Sequence, residues 1–138
     1  MVLFNPFYET VTTVRRAFCD SHKAIDVNDY ENTESLIIND SLKEYFEQSD
    51  PMDSKKKLVE LSKRKGKDGL SVLADMGPYF FKMNYENLLQ YELSLPSSLG
   101  PSLTGICIYH KDDFNRLSEE QRQQLVKNHS MRFVLGRH

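Results

Sequence analysis

Short apolar runs recur along the chain and are separated by stretches of helical spacing. Runs of this length, bounded by glycine or polar residues, are typical of strands. Because strands that alternate with helices form parallel sheets, we predict an α/β fold in three layers: a mainly parallel five-stranded sheet with helices on both faces. One such sheet accounts for a single domain, residues 1–138. The predicted strands are Met1–Phe4, Leu36–Ile38, Leu70–Ala74, Leu103–Tyr109 and Met131–Leu135, of which Leu36–Ile38, Leu70–Ala74 and Leu103–Ile108 are expected to be buried.

Apolar residues between these runs predict the helices. Helices are expected over Tyr8–Ser21, from Asp50-Pro51 to about Lys65, from Tyr85 to just before Pro96, and from Ser118 to about His129. A residue before proline avoids the helical region, which places the third of these ends before Pro96. Ser118 with Gln121 three residues later has the pattern of a capping box. Loops are expected over Asp26–Glu34, Met76–Phe81 and His110–Arg116, and a short helical turn over Leu42–Phe46.

Composition indicates a globular protein of the cytoplasm. The chain has 39% hydrophobic and 28% charged residues, and its net charge of −2 gives no general attraction to nucleic acid or membrane. No apolar run approaches the length of a membrane span, and the N-terminus lacks the pattern of a signal peptide. Cys19 and Cys107 are far apart, which favours a reducing compartment. The segment Lys55–Lys67 is rich in basic residues, and one helical face of it is expected to be solvated, with contact to phosphate or an acidic partner as the alternative. That face carries Lys56, Lys63, Arg64 and Lys67.

Familiar catalytic patterns are absent from the sequence. It contains no phosphate-binding loop of the Gly-x-x-x-x-Gly-Lys type, no dinucleotide-binding glycine motif and no nucleophile elbow. Cys107 lies inside a predicted strand and is expected to be a core residue. Cysteine and histidine show no metal-site spacing. We therefore expect no enzymatic activity, no cofactor and no metal site.

Polar and aromatic residues follow the predicted strands. In parallel sheets, ligands bind beyond the carboxyl ends of strands, where the strand order reverses. The set would suit a small polar or cationic ligand, or a metal held by carboxylates. Polar residues also follow strands simply because loops are solvated. The set is Asn5, Asn39, Asp40, Asp75, Met76, Tyr109, His110 and Asp112.

Glu92 stands out because it falls in the middle of an apolar helical arc made by Tyr85, Leu88, Leu89 and Leu95. A carboxylate there needs a partner, so we expect a hydrogen bond from the backbone or from a side chain such as Tyr109, or else a protonated carboxyl. The alternative is that helix fraying near Pro96 releases it to water. The predicted ligand-binding residues are Asp40, Asp75, Met76, Glu92, Tyr109 and His110.

Several sequence blocks together resemble the MEDS domain, the sensory domain of methanogens and of methylotroph regulators of the DcmR type. The blocks are Leu36–Asp40, Gly69–Met76, Leu88–Glu92 and Leu103–Tyr109, followed by Phe114. The resemblance implies a RecA/KaiC-like fold, here without the strand and helix that carry the phosphate loop. It also implies that Asp75 stands where the family commonly has glutamate, with Tyr79 or Phe80 as the aromatic that follows.

Two functions remain open. The resemblance implies a cytoplasmic sensory or regulatory domain in signal transduction or transcriptional control. It would bind a small organic ligand or a protein partner, such as a kinase or DNA-binding output domain. The alternative is a degenerate RecA/KaiC-like nucleotide-binding protein or ATPase fragment, which the missing phosphate loop disfavours. A homodimer through an exposed sheet edge is a further expectation.

Overall fold

The computed structural model describes residues 1–21, 26–40 and 51–135. Within these ranges four strands form one sheet in which every pair is parallel, in the order β2-β1-β3-β4. The order reverses between β1 and β3, because β2 lies on one side of β1 and the later strands lie on the other. The strands are β1 Val2–Asn5, β2 Leu36–Ile38, β3 Leu70–Asp75 and β4 Leu103–Ile108.

Helices cover both faces of the sheet. Leu3 joins the main core with residues of α3, α5 and α7, such as Val59, Leu88 and Leu125. Phe4 points the opposite way, and its ring contacts Phe18 of α1 at 6.3 Å between centroids. The helices are α1 Val11–Ser21, α2 Val27–Asn32, α3 Pro51–Arg64, α4 Gly77–Phe81, α5 Tyr85–Leu99, α6 Lys111–Arg116 and α7 Glu119–Asn128. The predicted parallel α/β architecture is therefore confirmed.

The predicted fifth strand is wrong. Met131–Leu135 has no strand structure, and its apolar side chains are largely exposed, with Leu135 at 95%. An apolar run shows only that a segment gains by burial, whereas a strand also needs a neighbour to pair with. The part of the chain that the structure describes provides no such neighbour for this segment.

Only one of the three strands that were expected to be buried lies at the centre of the sheet. Leu70–Ala74 lies between β1 and β4 and contributes Leu70, Val72 and Ala74 to the core. Leu36–Ile38 and Leu103–Ile108 are the two edge strands, so they are only partly covered, and Ile106 is 52% exposed. Sequence does not distinguish central from edge strands when both are apolar.

Three segments that were predicted as loops are helical, because caps and first-turn proline offset their weak apolar pattern. The Asp26 carboxylate accepts a hydrogen bond from the Asp29 amide at 3.1 Å and begins α2. Pro78 lies in the first turn of α4, a position that suits proline. His110 caps α6 in the same way through its Nδ1. The capping box of Ser118 and Gln121 is confirmed, while Leu42–Phe46 and Asp50 lie outside the described residues.

Helix α5 continues past the expected stop and includes Pro96. Proline has no N–H, so the carbonyl of Glu92, four residues earlier, cannot receive its usual helical hydrogen bond. The Asn128 side chain of α7 donates to this carbonyl at 3.0 Å. Asn128 therefore compensates for the proline and ties α7 to α5.

Replacing Asn128 with alanine should destabilise the fold by about 1–2 kcal/mol, since it leaves the carbonyl of the buried Glu92 without this donor. In a Pro96→Ala background residue 96 regains its N–H, and the cost of Asn128→Ala should shrink to a few tenths of a kcal/mol. Urea unfolding of the four proteins measures this coupling. Asn115→Ala, at an exposed position of α6, is the control. Equal costs of Asn128→Ala in the two backgrounds would contradict the assignment.

Candidate functional site

Glu92 is fully buried, with 0% of its surface exposed, on the side of α5 that faces the sheet. The Tyr109 hydroxyl donates a hydrogen bond to Glu92 Oε1. Glu92 Oε2 lies 3.3 Å from His129 Nε2. The predicted hydrogen-bonded carboxylate is therefore confirmed, including the choice of Tyr109, and the alternative of a frayed, solvated Glu92 is wrong.

His129 follows the last turn of α7 and is half-buried. Its Nδ1 lies 2.7 Å from the carbonyl oxygen of Leu125. A carbonyl can only accept, so Nδ1 carries the hydrogen in this bond. In the neutral ring, Nε2 therefore presents its lone pair to the carboxylate of Glu92.

Cys107 approaches the same carboxylate from the sheet. It pairs in register with the buried Ala74 of β3, so the two side chains share a face. Tyr109 lies two residues later and points the same way. Burial raises the pKa of the Cys107 thiol, and the charge of Glu92 raises this pKa further. The thiol is thus protonated at neutral pH and is not an activated nucleophile.

Burial also raises the pKa of the Glu92 carboxyl above its usual range, and the Tyr109 hydroxyl and His129 offset part of that rise. A buried acid, a partly buried thiol and an imidazole thus lie in one cluster, each from a different element. Strongly perturbed titratable groups that lie together beside a pocket are characteristic of functional sites.

Lys55 of α3, like Cys107 and His129, is a functional candidate that was not predicted from the sequence. It is fully buried, and its Nζ lies 5.3 Å from the centre of the Tyr91 ring. The sequence presents it as one member of a basic run. Its spacing was the available signal, because Lys55, Val59 and Ser62 fall on one helical face and all three are buried. A buried lysine is rare and requires compensating contacts.

Lys55 and the cluster of Glu92, Cys107 and His129 line a common pocket of about 220 Å³. Its walls are apolar on the sheet side and polar on the helix side, and it opens to solvent at the exposed residues Gly100, Ile106 and Ser130. The volume is below the roughly 300–1,000 Å³ of pockets that hold drug-sized ligands. The lining includes Val72, Ala74, Leu103, Lys55, Glu92, Cys107, Asn128 and His129.

Another polar cluster lies where the strand order reverses, beyond the carboxyl ends of β1 and β3. Asp75 Oδ1 accepts a hydrogen bond from the Gly77 amide at 2.8 Å, and burial raises the pKa of Asp75. The Tyr8 hydroxyl donates to Asp113, and its ring lies 5.4 Å from that of His110. The Tyr8 hydroxyl and the carboxylates of Asp75 and Asp113 are thus hydrogen-bonded to neighbouring groups of the protein.

The six predicted ligand-binding residues therefore separate in space. Glu92 and Tyr109 lie together at the pocket, whereas Asp75 and His110 lie near Tyr8. Met76 is fully buried in the core, and Asp40 is exposed just beyond the edge strand β2. Five of the six predicted residues lie at or just beyond strand ends, as the rule predicts, but the pocket lies beneath the sheet rather than at its carboxyl edge.

No protein-family model, curated protein or solved structure matches the chain. Among the described helices, none has both the length and the apolar character needed to cross a membrane.

Glu92→Gln should fold normally and be at least as stable as the wild type at neutral pH. The amide oxygen can accept from Tyr109, the amide nitrogen can donate to the bare His129 Nε2, and a buried charge is removed. Glu92→Leu leaves the Tyr109 hydroxyl without its acceptor and should lose about 1–3 kcal/mol. Thermal melts and urea titrations compare the two. Equal loss in both variants would show that the carboxylate charge, and not the hydrogen bond, stabilises this region.

Proposed function

We propose that this domain is a cytoplasmic sensory or regulatory module, of the kind that the MEDS resemblance implies, and that its small organic ligand binds in the pocket beneath β3 and β4. The observation that carries the proposal is the burial of Lys55 and Glu92 against an open pocket. Burying opposite charges costs folding free energy and seldom stabilises more than apolar packing would. A role in binding therefore explains these two residues better than a role in packing. A pocket with apolar walls and a few convergent polar groups is the usual form of a ligand site.

The pocket suggests the size and character of the ligand. Val72, Ala74 and Leu103 form an apolar wall, and Lys55 offers a cationic group opposite. A compact metabolite with one apolar end and one polar or acidic end would satisfy both walls. A nucleotide exceeds this volume and is disfavoured.

The turn after β1 also supports a sensor over the nucleotide-binding alternative. Phosphate loops use glycines and backbone N–H groups at such a turn. Here the turn is Pro6–Thr10, which has no glycine and begins with a residue that lacks an N–H. Asp75 and Asp113 lie beside Tyr8 of this turn, and their charges would repel phosphate.

A second copy of the chain is the proposed partner at the sheet edge. Among the described residues β4 is the last strand of the sheet, and the apolar side chains of Met131, Phe133, Val134 and Leu135 are exposed. An unpaired strand edge and an exposed apolar segment both favour association. A kinase or DNA-binding output domain would then be regulated through the dimer.

Ligand binding should map to the pocket, and ATP should not bind. Isothermal titration with ATP–Mg should give no binding heat, and no hydrolysis above a buffer blank is expected. In a screen of small carboxylic acids by amide-resonance shifts, hits should move Gly105 and Cys107. Their affinity should fall at least about tenfold in Lys55→Met, as expected when a charge-assisted contact is lost. Lys56→Met, at the exposed neighbouring position, is the control. Saturable ATP binding, or hits confined to the Tyr8–Asp113 region, would contradict the proposal.

Light scattering should give twice the 16.1 kDa monomer mass for the wild type. Phe133→Lys should shift the protein to monomer, because a lysine in an apolar contact loses its hydration. Met83→Lys, which changes an exposed apolar residue elsewhere, should leave the dimer intact. A wild-type protein that remains monomeric at millimolar concentration would contradict the edge-mediated dimer.

A further inference from the structure

We propose that Glu92, Cys107 and His129 form a binding site for a divalent transition-metal ion of the zinc class. Each offers one ligand atom, and the three atoms all lie within 4.8 Å of one another. The residues come from α5, β4 and the end of α7, so the fold, and not a sequence motif, brings them together.

The separation between Glu92 and His129 suits a tetrahedral ion. Zinc binds histidine nitrogen and carboxylate oxygen at about 2.0–2.2 Å, and two such atoms at a tetrahedral angle lie about 3.3 Å apart. Glu92 Oε2 and His129 Nε2 are 3.3 Å apart. The longer zinc–sulfur bond, about 2.3 Å, allows the thiolate of Cys107 a somewhat wider position.

The unsatisfied atoms of the cluster also point to a cation. Glu92 Oε2 is buried and accepts no hydrogen bond of good geometry from the described residues. It faces His129 Nε2, which carries a lone pair because the hydrogen of the neutral ring is on Nδ1. Two acceptors at this distance need a proton or a metal ion between them. The Cys107 thiol also lies within hydrogen-bond reach of the Glu92 carboxylate. Its sulfur is a third electron-pair donor that a metal ion would bind in place of the thiol proton.

Contacts around the cluster orient its ligand atoms. The Tyr109 hydroxyl holds Glu92 Oε1, which turns Oε2 toward His129. The Leu125 carbonyl holds Nδ1 of His129, which aims Nε2 at the same point. Histidines that bind metal commonly donate their other N–H to a carbonyl or carboxylate, and ligand carboxylates are commonly hydrogen-bonded.

The donor set selects the ion. Sulfur, imidazole nitrogen and one carboxylate suit zinc, whereas magnesium and calcium prefer oxygen alone. Binding replaces the thiol proton, which is released to solvent, so the product is a thiolate–metal bond. Three protein ligands leave the fourth position of the ion open toward the pocket, as in zinc sites that bind a further molecule.

The inference shares its pocket with the proposed small-ligand function but does not need an organic ligand. Metal alone is therefore the probe. The chelator-treated wild-type chain should bind one equivalent of Zn²⁺ in competition with a chromogenic chelator. Co²⁺ in its place should give a thiolate-to-cobalt charge-transfer absorption.

Three ligand variants should each weaken Zn²⁺ binding by more than about 100-fold: Cys107→Ser, His129→Gln and Glu92→Gln. Tyr109→Phe removes only the hydroxyl that holds the carboxylate and should cost about 10–100-fold. Cys19→Ser and His110→Gln are matched controls at exposed positions and should bind as the wild type does. Thermal melts establish that each variant is folded. The Glu92→Gln amide can still accept from Tyr109 and can donate to His129 Nε2, so this variant is expected to fold normally.

The inference is overturned if Co²⁺ gives no thiolate band, or if Cys107→Ser and His129→Gln bind Zn²⁺ as tightly as the wild type. A proton alone would then bridge Glu92 and His129. If no metal binds but carboxylic acids still shift the amide resonances of Gly105 and Cys107, only the metal-site proposal is rejected. If metal binds but no organic ligand does, the small-ligand proposal is rejected and the metal site is supported.

Discussion

Glu92 sets the arrangement of the C-terminal third of the molecule through both its backbone and its side chain. Its carbonyl lacks a helical donor because of Pro96, and Asn128 supplies one. Its carboxylate is buried and needs donors: Tyr109 supplies one to Oε1, and Oε2 faces His129 Nε2 at 3.3 Å. An unmet polar group in this position would cost on the order of 1–3 kcal/mol. Helix α7 is therefore held against α5 by polar contacts at its last turn as well as by the apolar contact of Leu125.

The sequence was sufficient to predict the layered α/β architecture and the buried, hydrogen-bonded state of Glu92. Both follow from periodicity: apolar runs predict strands, and a carboxylate on an apolar helical arc predicts a buried acid with a partner. The rest of the pocket could not be predicted, because Lys55, Cys107 and His129 reach it from separate elements. Lys55 looked like one of many surface lysines, and Cys107 looked like an ordinary core residue.

Each error in the predicted fold has a physical cause. α5 passes through Pro96 because a side chain from another helix replaces the missing donor, which local sequence does not show. α2 and α6 depend on capping side chains rather than on an apolar face. The fifth strand failed because apolar character alone does not provide a pairing edge. A contact between distant residues thus decided the end of α5, local capping contacts decided α2 and α6, and the predicted fifth strand lacked a pairing partner among the described residues.

The central position of β1 constrains how the chain folds. Val2 pairs with Leu36 on one side and with Ser71 on the other, so neither neighbour is local. Closing such loops costs chain entropy before the strands gain any stabilising contact, and parallel sheets with distant pairings fold slowly for this reason. During synthesis β1 emerges first but has its full set of partners only after β3 has been made. Until then its apolar residues, Val2, Leu3 and Phe4, stay available to other chains. The rate of folding in the cell, more than the final stability, would then govern how much of this protein escapes aggregation.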